Sequence, residues 1–226
     1  CISKNAGTCK MMLKLKDTPE RKIYFTSDLH LGHKKDFVWK TRGYESVEAH
    51  DTGIIDTINS IVRPSDVLLF LGDFCLNTPI KQFEEYLTRV QCQNIWALWG
   101  NHNNPHEKQV YREMQFEGTE TYPSSYLNMV FMGYYLEATL NGHYAVLCHF
   151  PIYIWNHMFH GAWMLCGHSH GGCPLTIKDN IEGKMLDVGW DEHKKPLSID
   201  EISEIMNKKQ IVYRDRNHII REEQGK

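Results

Sequence analysis

The chain has 226 residues, 42% apolar and 23% charged, a balance that is ordinary for a soluble globular protein and sufficient for one domain with a large core. With 25 Lys plus Arg against 28 Asp plus Glu, its net charge of -3 guarantees no large basic face for duplex nucleic acid, although a local groove is compatible with it. No apolar run reaches the roughly 18 residues of a membrane-spanning helix and the N-terminus lacks the apolar core of a signal peptide, so a soluble, cytoplasmic protein without membrane partners is expected.

Residues 1–10 are polar without periodicity and Met11-Met12 is a plausible native start, so residues 1–12 are expected to be a loose tail or appended remnant, with residues 13–226 forming one domain. Ile23 to Thr26 reads as a short buried strand. Residues 45–62 carry Ile54, Ile55, Ile58, Ile61 and Val62 at helical spacing, ended by Arg63-Pro64. Val67 to Leu71 is a second strand, Ile80, Phe83, Leu87 and Val90 mark a helix opening at Pro79, and Ile95 to Trp99 is a third strand. This alternation predicts right-handed βαβ crossovers and a parallel sheet whose ligand edge lies beyond the strand C-termini.

A helix is expected from Pro105 to about Phe116. The pattern then turns antiparallel: Tyr134 to Leu140 and His143 to Leu147 flank Asn141-Gly142, a dipeptide suited to a tight hairpin. Ala162 to Cys166 and Met185 to Val188 continue that second sheet. Ser198-Ile199-Asp200-Glu201 has capping-box spacing and starts a helix to about Lys208, with Ile211 to Tyr213 as a last edge strand. Seven cysteines at irregular spacings fit neither a disulfide framework nor a paired zinc motif, and Cys75, Cys92, Cys148 and Cys166 are expected as buried thiols.

Histidine is over-represented, with thirteen copies, and five apolar runs empty into polar residues of one kind. The first leads to Asp28-Leu29-His30, the second to Gly72-Asp73 and the third to Gly100-Asn101-His102. The fourth leads to His149, and the last to Gly167-His168-Ser169-His170-Gly171. Singly these have ordinary explanations as turn formers, helix caps or a core histidine. Carboxylate, imidazole and amide oxygen gathered at the strand ends instead suit Mn²⁺, Fe or Zn²⁺ better than calcium or copper.

This ordered series, from Asp-x-His to Gly-His-x-His, resembles the calcineurin-like metallophosphoesterases over roughly residues 23–188, and the compact chain with Asp28-Leu29-His30-Leu31-Gly32-His33 resembles the small bacterial and phage members. The resemblance implies an α/β fold in which a two-sheet β-sandwich is flanked by helices in four layers, α/β/β/α, with a parallel βαβαβ N-terminal part and an antiparallel C-terminal part. It implies two divalent metal ions, Mn²⁺ first, with Fe, Zn²⁺, Ni²⁺ or Co²⁺ as alternatives. Asp28, His30, Asp73 and His170 would hold one, and Asp73, Asn101, His149 and His168 the other, Asp73 bridging. A bridging hydroxide would attack the phosphorus, and His102 would protonate the leaving oxygen or stabilise the transferring group. Where the family commonly has an acidic residue after that histidine this chain has Asn103, which offers His102 a hydrogen bond without the charge that favours imidazolium.

His33, Arg42 and Lys34 are candidate substrate contacts, and Trp99, Tyr153 and Trp155 lie near the site loops where a base can stack. The expected activity is hydrolysis of a phosphate ester, with a slight preference for a nucleotide or nucleic-acid phosphodiester. The alternatives are a phosphomonoesterase and a non-catalytic binding module on the same fold. The sequence does not specify the oligomeric state.

Overall fold

The computed structural model describes residues 12–76, 78–102, 124–172 and 183–214 and, for residues 124–126, the backbone alone. In its N-terminal half the order is β1 (Leu13–Leu15), β2 (Ile23–Thr26), α1 (Asp36–Thr41), α2 (Val47–Ile61), β3 (Val67–Phe70), α3 (Ile80–Arg89) and β4 (Ile95–Ala97). The C-terminal half follows with β5 (Ser124–Tyr126), β6 (Met129–Phe131), β7 (Tyr135–Leu140), β8 (His143–Cys148), β9 (Trp163–Cys166), β10 (Met185–Asp187), α4 (Trp190–His193), β11 (Leu197–Ser198) and α5 (Ile199–Lys208). The helix expected at 105–116 lies outside the described residues, as does all but the end of the expected tail.

Among the described residues the strands form two sheets, one of six in the order β11-β2-β3-β4-β6-β5 and one of five in the order β1-β7-β8-β9-β10. β2, β3 and β4 are parallel, as their alternation with α2 and α3 predicts. The expected antiparallel character of the C-terminal part is confined, in the second sheet, to the β7–β8 hairpin; β8–β9 and β9–β10 are parallel. The hairpin turns at Asn141 and Gly142, both at positive φ (47° and 90°), the conformation that a two-residue turn demands.

Alternate residues of the buried strands face different neighbours, and this divides the core. Phe25, Val67, Leu69 and Leu71 of the first sheet pack with Leu136, Leu147, Trp163 and Leu165 of the second, which joins the sheets face to face. Leu68, Phe70 and Ile95 point the other way, onto Ile54, Ile55 and Ile58 of α2 and Phe83 and Leu87 of α3. Each such side chain contributes about 1.5–3 kcal/mol relative to exposure. On the outer face of the second sheet, Val146, Met164 and Met185 are covered by Trp155 and Met158, with Val212 packed against them. Residues 211–213 therefore do not extend a sheet edge as predicted; Tyr213 instead stacks on Phe159, with ring centroids 5.9 Å apart.

The predicted capping box forms, the Ser198 hydroxyl accepting from Glu201 N and the Glu201 carboxylate from Ser198 N. Cys75, Cys92, Cys148 and Cys166 are buried, as expected, and form no disulfide among the described residues. No helix among the described residues is long and apolar enough to cross a membrane.

Strand register sets the functional edge. Thr26, Phe70 and Ala97 are aligned across β2, β3 and β4, so the loops after them leave at one level. In the other sheet Gly167 N donates to the His149 carbonyl (2.9 Å), placing the loops after β8 and β9 side by side. Trp190 N donates to the Ser27 carbonyl (2.9 Å), closing the gap between the two sheets at this edge.

Candidate metal centre

Five of the seven residues predicted to ligate metal, Asp28, His30, Asp73, His168 and His170, have φ between 48° and 70°. Non-glycine residues in the left-handed region cost about 1–3 kcal/mol each and persist where surrounding structure over-determines them. Here the over-determination is visible. Asp28 N and His30 N donate to the carbonyls of Gly72 and Asp73 (3.1 and 3.0 Å), zipping the first two loops together. A Cβ on Gly100 would overlap the Asp73 carboxylate, and one on Gly167 would overlap Ser27 and the Asp28 carboxylate, so both positions need a residue without one.

The backbone of the opposing loops orients each carboxylate. His168 N donates to Asp28 Oδ2 (2.9 Å) and His102 N to Asp73 Oδ1 (2.8 Å). The remaining oxygens face the imidazoles. Asp28 Oδ1 lies 3.8 Å from His30 Nε2 and 3.9 Å from His170 Nε2, while Asp73 Oδ2 lies 3.9 Å from His30 Nε2 and 3.3 Å from His149 Nε2. Asp73 Oδ2 thus stands between His30 and His149. Two donor groups, Asp28–His30–His170 and Asp28–Asp73–His149, each have ligand atoms within 4.8 Å of one another.

Two observations test whether these residues fit a divalent cation. Asp28 Oδ1 and both ring nitrogens of His30 are buried without a hydrogen-bond partner, an arrangement that costs free energy unless something charged is bound there. His149 Nδ1 lies 2.8 Å from the Leu71 carbonyl, an acceptor, so Nδ1 carries the proton. Nε2 then faces Asn101 Oδ1 at 2.8 Å, and His168 Nδ1 faces the same oxygen at 2.9 Å. In neutral His149 two acceptors thus face each other, an opposition that a cation relieves, either a proton on Nε2 or a metal ion. Carboxylate, imidazole and amide oxygen together fit a transition-metal dication.

The electrostatics agree. Burial pushes the Asp28 carboxyl above its usual range. It acts the same way on Asp73, but the neighbouring His149 and His30 and the His102 N–H outweigh it and hold Asp73 below that range. Burial pushes His30 down to about 3, leaving a neutral imidazole suited to coordination. For His149 burial opposes protonation, yet Asp73 and Asp28 prevail and raise its pKa. Burial and the nearby His149 lower that of His168, whereas the bond to Asp191 raises that of His170.

Asp191, in α4, was not singled out from sequence. Its Oδ2 lies 2.6 Å from His170 Nδ1, so the ring's Nε2 is left facing Asp28. The available signal was weak: it is one more acid just beyond a strand end, like Asp28 and Asp73. The expected substrate residues diverge. His33 is buried beside the site, its ring 6.1 Å from His30, and His102 lies 5.7 Å from His30; both line a cavity of about 560 Å³ that also touches His30 and His170. Lys34 is exposed and does not line that cavity. Arg42 reaches the cavity wall, but its donors are engaged by the protein. Trp99 and Trp155 are core residues, Trp99 stacked on Phe131 at 4.3 Å and Trp155 bonded to the Ala162 carbonyl; Tyr153 is exposed but faces Arg214. Neither tryptophan offers a base a stacking surface. Asn103 lies outside the described residues.

Known proteins are similar to this chain in sequence or in fold. Uncharacterized protein MJ1445 of Methanocaldococcus jannaschii is 26% identical over 85% of this chain and 95% of its own, and the Gene 66 protein of Mycobacterium phage L5 is 28% identical over 81% and 93%. The crystal structure of a protein of unknown function from Aquifex aeolicus has the same fold at a TM-score of 0.59 and 18% identity, covering 82% of this chain and 99% of that one. The profile of calcineurin-like phosphoesterases matches residues 21–172, the span that carries Asp28, His30, Asp73, Asn101, His149, His168 and His170, and the chain belongs to that family.

Proposed function

We propose that this chain is a dinuclear metal-dependent phosphoesterase acting on a phosphodiester, of nucleotide or nucleic-acid type in preference to a simple monoester. The observation that carries the reading is the convergence of groups able to hold a cation: Asp28 Oδ1 and the His30 ring nitrogens, buried without a hydrogen-bond partner, and His149 Nε2 and His168 Nδ1 gathered around Asn101 Oδ1. Asp28, His30, Asp73 and His170 would hold one ion, and Asp73, Asn101, His149 and His168 a second, with Mn²⁺ first. Two such ions supply a water of lowered pKa as nucleophile and offset charge on the phosphoryl oxygens.

The chain's own residues do the rest. Asp73 presents Oδ2 between His30 and His149 while His102 N holds Oδ1, fixing the carboxylate across both halves. The His102 ring, exposed on the cavity, would give a proton to the leaving oxygen, and His33 would contact the ester. A diester is favoured because the cavity extends past the ligands along Lys35, Phe37, Val38 and Leu76, giving room for a second substituent on phosphorus.

The test is hydrolysis of bis(p-nitrophenyl) phosphate and of p-nitrophenyl phosphate by wild type and Asp73→Asn, with Mn²⁺ and with chelator. Mn²⁺-dependent cleavage of the diester, faster than the monoester and abolished by the substitution, is expected. Faster monoester cleavage would make the protein a phosphatase. Bound metal with neither ester cleaved would leave a binding module.

A further inference from the structure

α1 buries none of its six residues, yet it presents Phe37, 60% exposed, and Val38 to the cavity beside His30 and His170. Lone exposed apolar residues are common on protein surfaces. These two share a wall with Leu76, and the Phe37 ring meets His33 edge-on at 5.4 Å, so aromatic surface continues from the ligand His30 through His33 outward. Lys35, exposed at the N-terminus of α1, brings positive charge to the same wall.

We propose that Phe37, Val38 and Leu76 form a subsite for a planar aromatic group of the substrate, of nucleobase type, with the phosphoryl group placed at the histidines and Lys35 compensating its charge. An aromatic ring offset against Phe37 gains stacking in any base sequence, so the subsite selects for a base over an alkyl group and reads no identity. This rests on the reading of the centre as one that takes phosphate esters.

The test compares two ligands that differ only by a base, uridine 5′-monophosphate and ribose 5-phosphate, titrated calorimetrically into the Mn²⁺-loaded protein. Wild type should prefer the nucleotide, and Phe37→Ala should reduce that preference about tenfold, with Phe37→Leu in between. Equal affinities in wild type, or an unchanged preference in Phe37→Ala, would overturn the subsite. Hydrolysis of bis(p-nitrophenyl) phosphate in the same preparations separates the two ideas. Phe37-dependent nucleotide preference without hydrolysis keeps the subsite and removes the phosphoesterase, while hydrolysis without base preference does the reverse.

The contacts of Arg42 independently point to a positioning residue. Its side chain is 2% exposed and all five N–H donors are occupied. Nε and Nη2 reach the two oxygens of Asp191 (2.8 and 2.6 Å), Nη2 also reaches the Asp28 carbonyl (2.8 Å), and Nη1 reaches the Leu29 carbonyl (2.7 Å) and His50 Nε2 (2.9 Å). Behind it, buried His50 Nδ1 meets Asp51 Oδ1 (2.8 Å), and Asp51 Oδ2 accepts from Gly32 N (3.0 Å) and the Tyr86 hydroxyl (2.5 Å). The guanidinium therefore ties the strained loop of Asp28 and His30 to Asp191, which holds His170.

We infer that Arg42 sets metal affinity by fixing these two loops, and does not clamp phosphate. Arg42→Lys keeps the charge but loses the planar fork. It should weaken Mn²⁺ binding, measured calorimetrically on the refolded, circular-dichroism-checked protein, by about 10–100-fold, and Asp191→Asn should act in the same direction from the other end. Unchanged Mn²⁺ affinity in both variants, or a raised KM with metal affinity intact, would overturn the assignment.

Discussion

Asn101 Oδ1 stands 2.8 Å from His149 Nε2, and while the ring is neutral both atoms present lone pairs, because His149 Nδ1–H donates to the Leu71 carbonyl. That opposition makes the centre a source of instability until a cation joins it. Chelated protein should melt below Mn²⁺-loaded protein. At a metal concentration of 100 times Kd the gain is about 2.7 kcal/mol, or about 5–10 °C for a chain of this size. Asp28→Asn removes a buried carboxylate together with a proposed ligand, so its chelated form should melt no lower than wild type and its Mn²⁺ response should fall to less than about half. Coincident melting of chelated and Mn²⁺-treated wild type would argue against the site.

Gly100 lies so near the Asp73 carboxylate that a methyl group there must displace it. Gly100→Ala should lower Mn²⁺ affinity by at least about tenfold and cost about 1–3 kcal/mol of stability from overpacking. Calorimetry and denaturant melts, run on one sample, would detect both changes; a variant with normal affinity would mean that the loop can yield.

Leu69 lies in the apolar layer between the sheets, a cluster that contains none of the proposed ligands. Leu69→Ala should cost about 2–5 kcal/mol in urea unfolding. Activity per folded molecule should stay near wild type, because strand register, and with it the loop level at the edge, is held by backbone pairing to both neighbours.

Asp66 is buried, and its carboxylate accepts from Lys22 N (2.7 Å), Arg63 N (2.8 Å) and the Arg63 guanidinium (2.8 and 3.2 Å). Burial alone would raise its pKa, but Arg63 and the two backbone N–H groups outweigh burial and depress it. A depressed carboxylate stabilises the fold fully above its unfolded pKa of about 3.9, and that stability is lost as pH falls through the lower folded value. Asp66→Asn should therefore be less stable than wild type at pH 7, by about 1–3 kcal/mol, and the gap should narrow below pH of about 4. Urea midpoints measured from pH 7 down to about 3 would reveal a constant gap if the depression were absent.

The strands β2, β3, β4 and β7 to β10, the helices α2, α3 and α5, and the polar residues waiting at the strand ends were legible in the chain because each is a local property. Apolar periodicity reports burial, Asn141-Gly142 reports a turn with positive φ, and Ser198 with Glu201 reports a helix start. β1 was not legible: three residues carry no period, and the strand exists by pairing with β7, some 125 positions away. Nor were the parallel pairings of β8 with β9 and β9 with β10, since strand direction follows from the path of the connections.

For the same reason Asp28, His30, Asp73, Asn101, His149, His168 and His170 were found as a set of types at strand ends, but their partners were not. Arg42 meets Asp191 across 149 positions, and His50 belongs to no motif of the sequence, its place in the interior being set by α2. The order of residues alone placed potential metal donors directly after each of five buried strands, since strand and donor are both local features. Only the tertiary structure decided how they are oriented, because loops from two sheets must converge before one loop's N–H can hold the next loop's carboxylate, and before a guanidinium can join them.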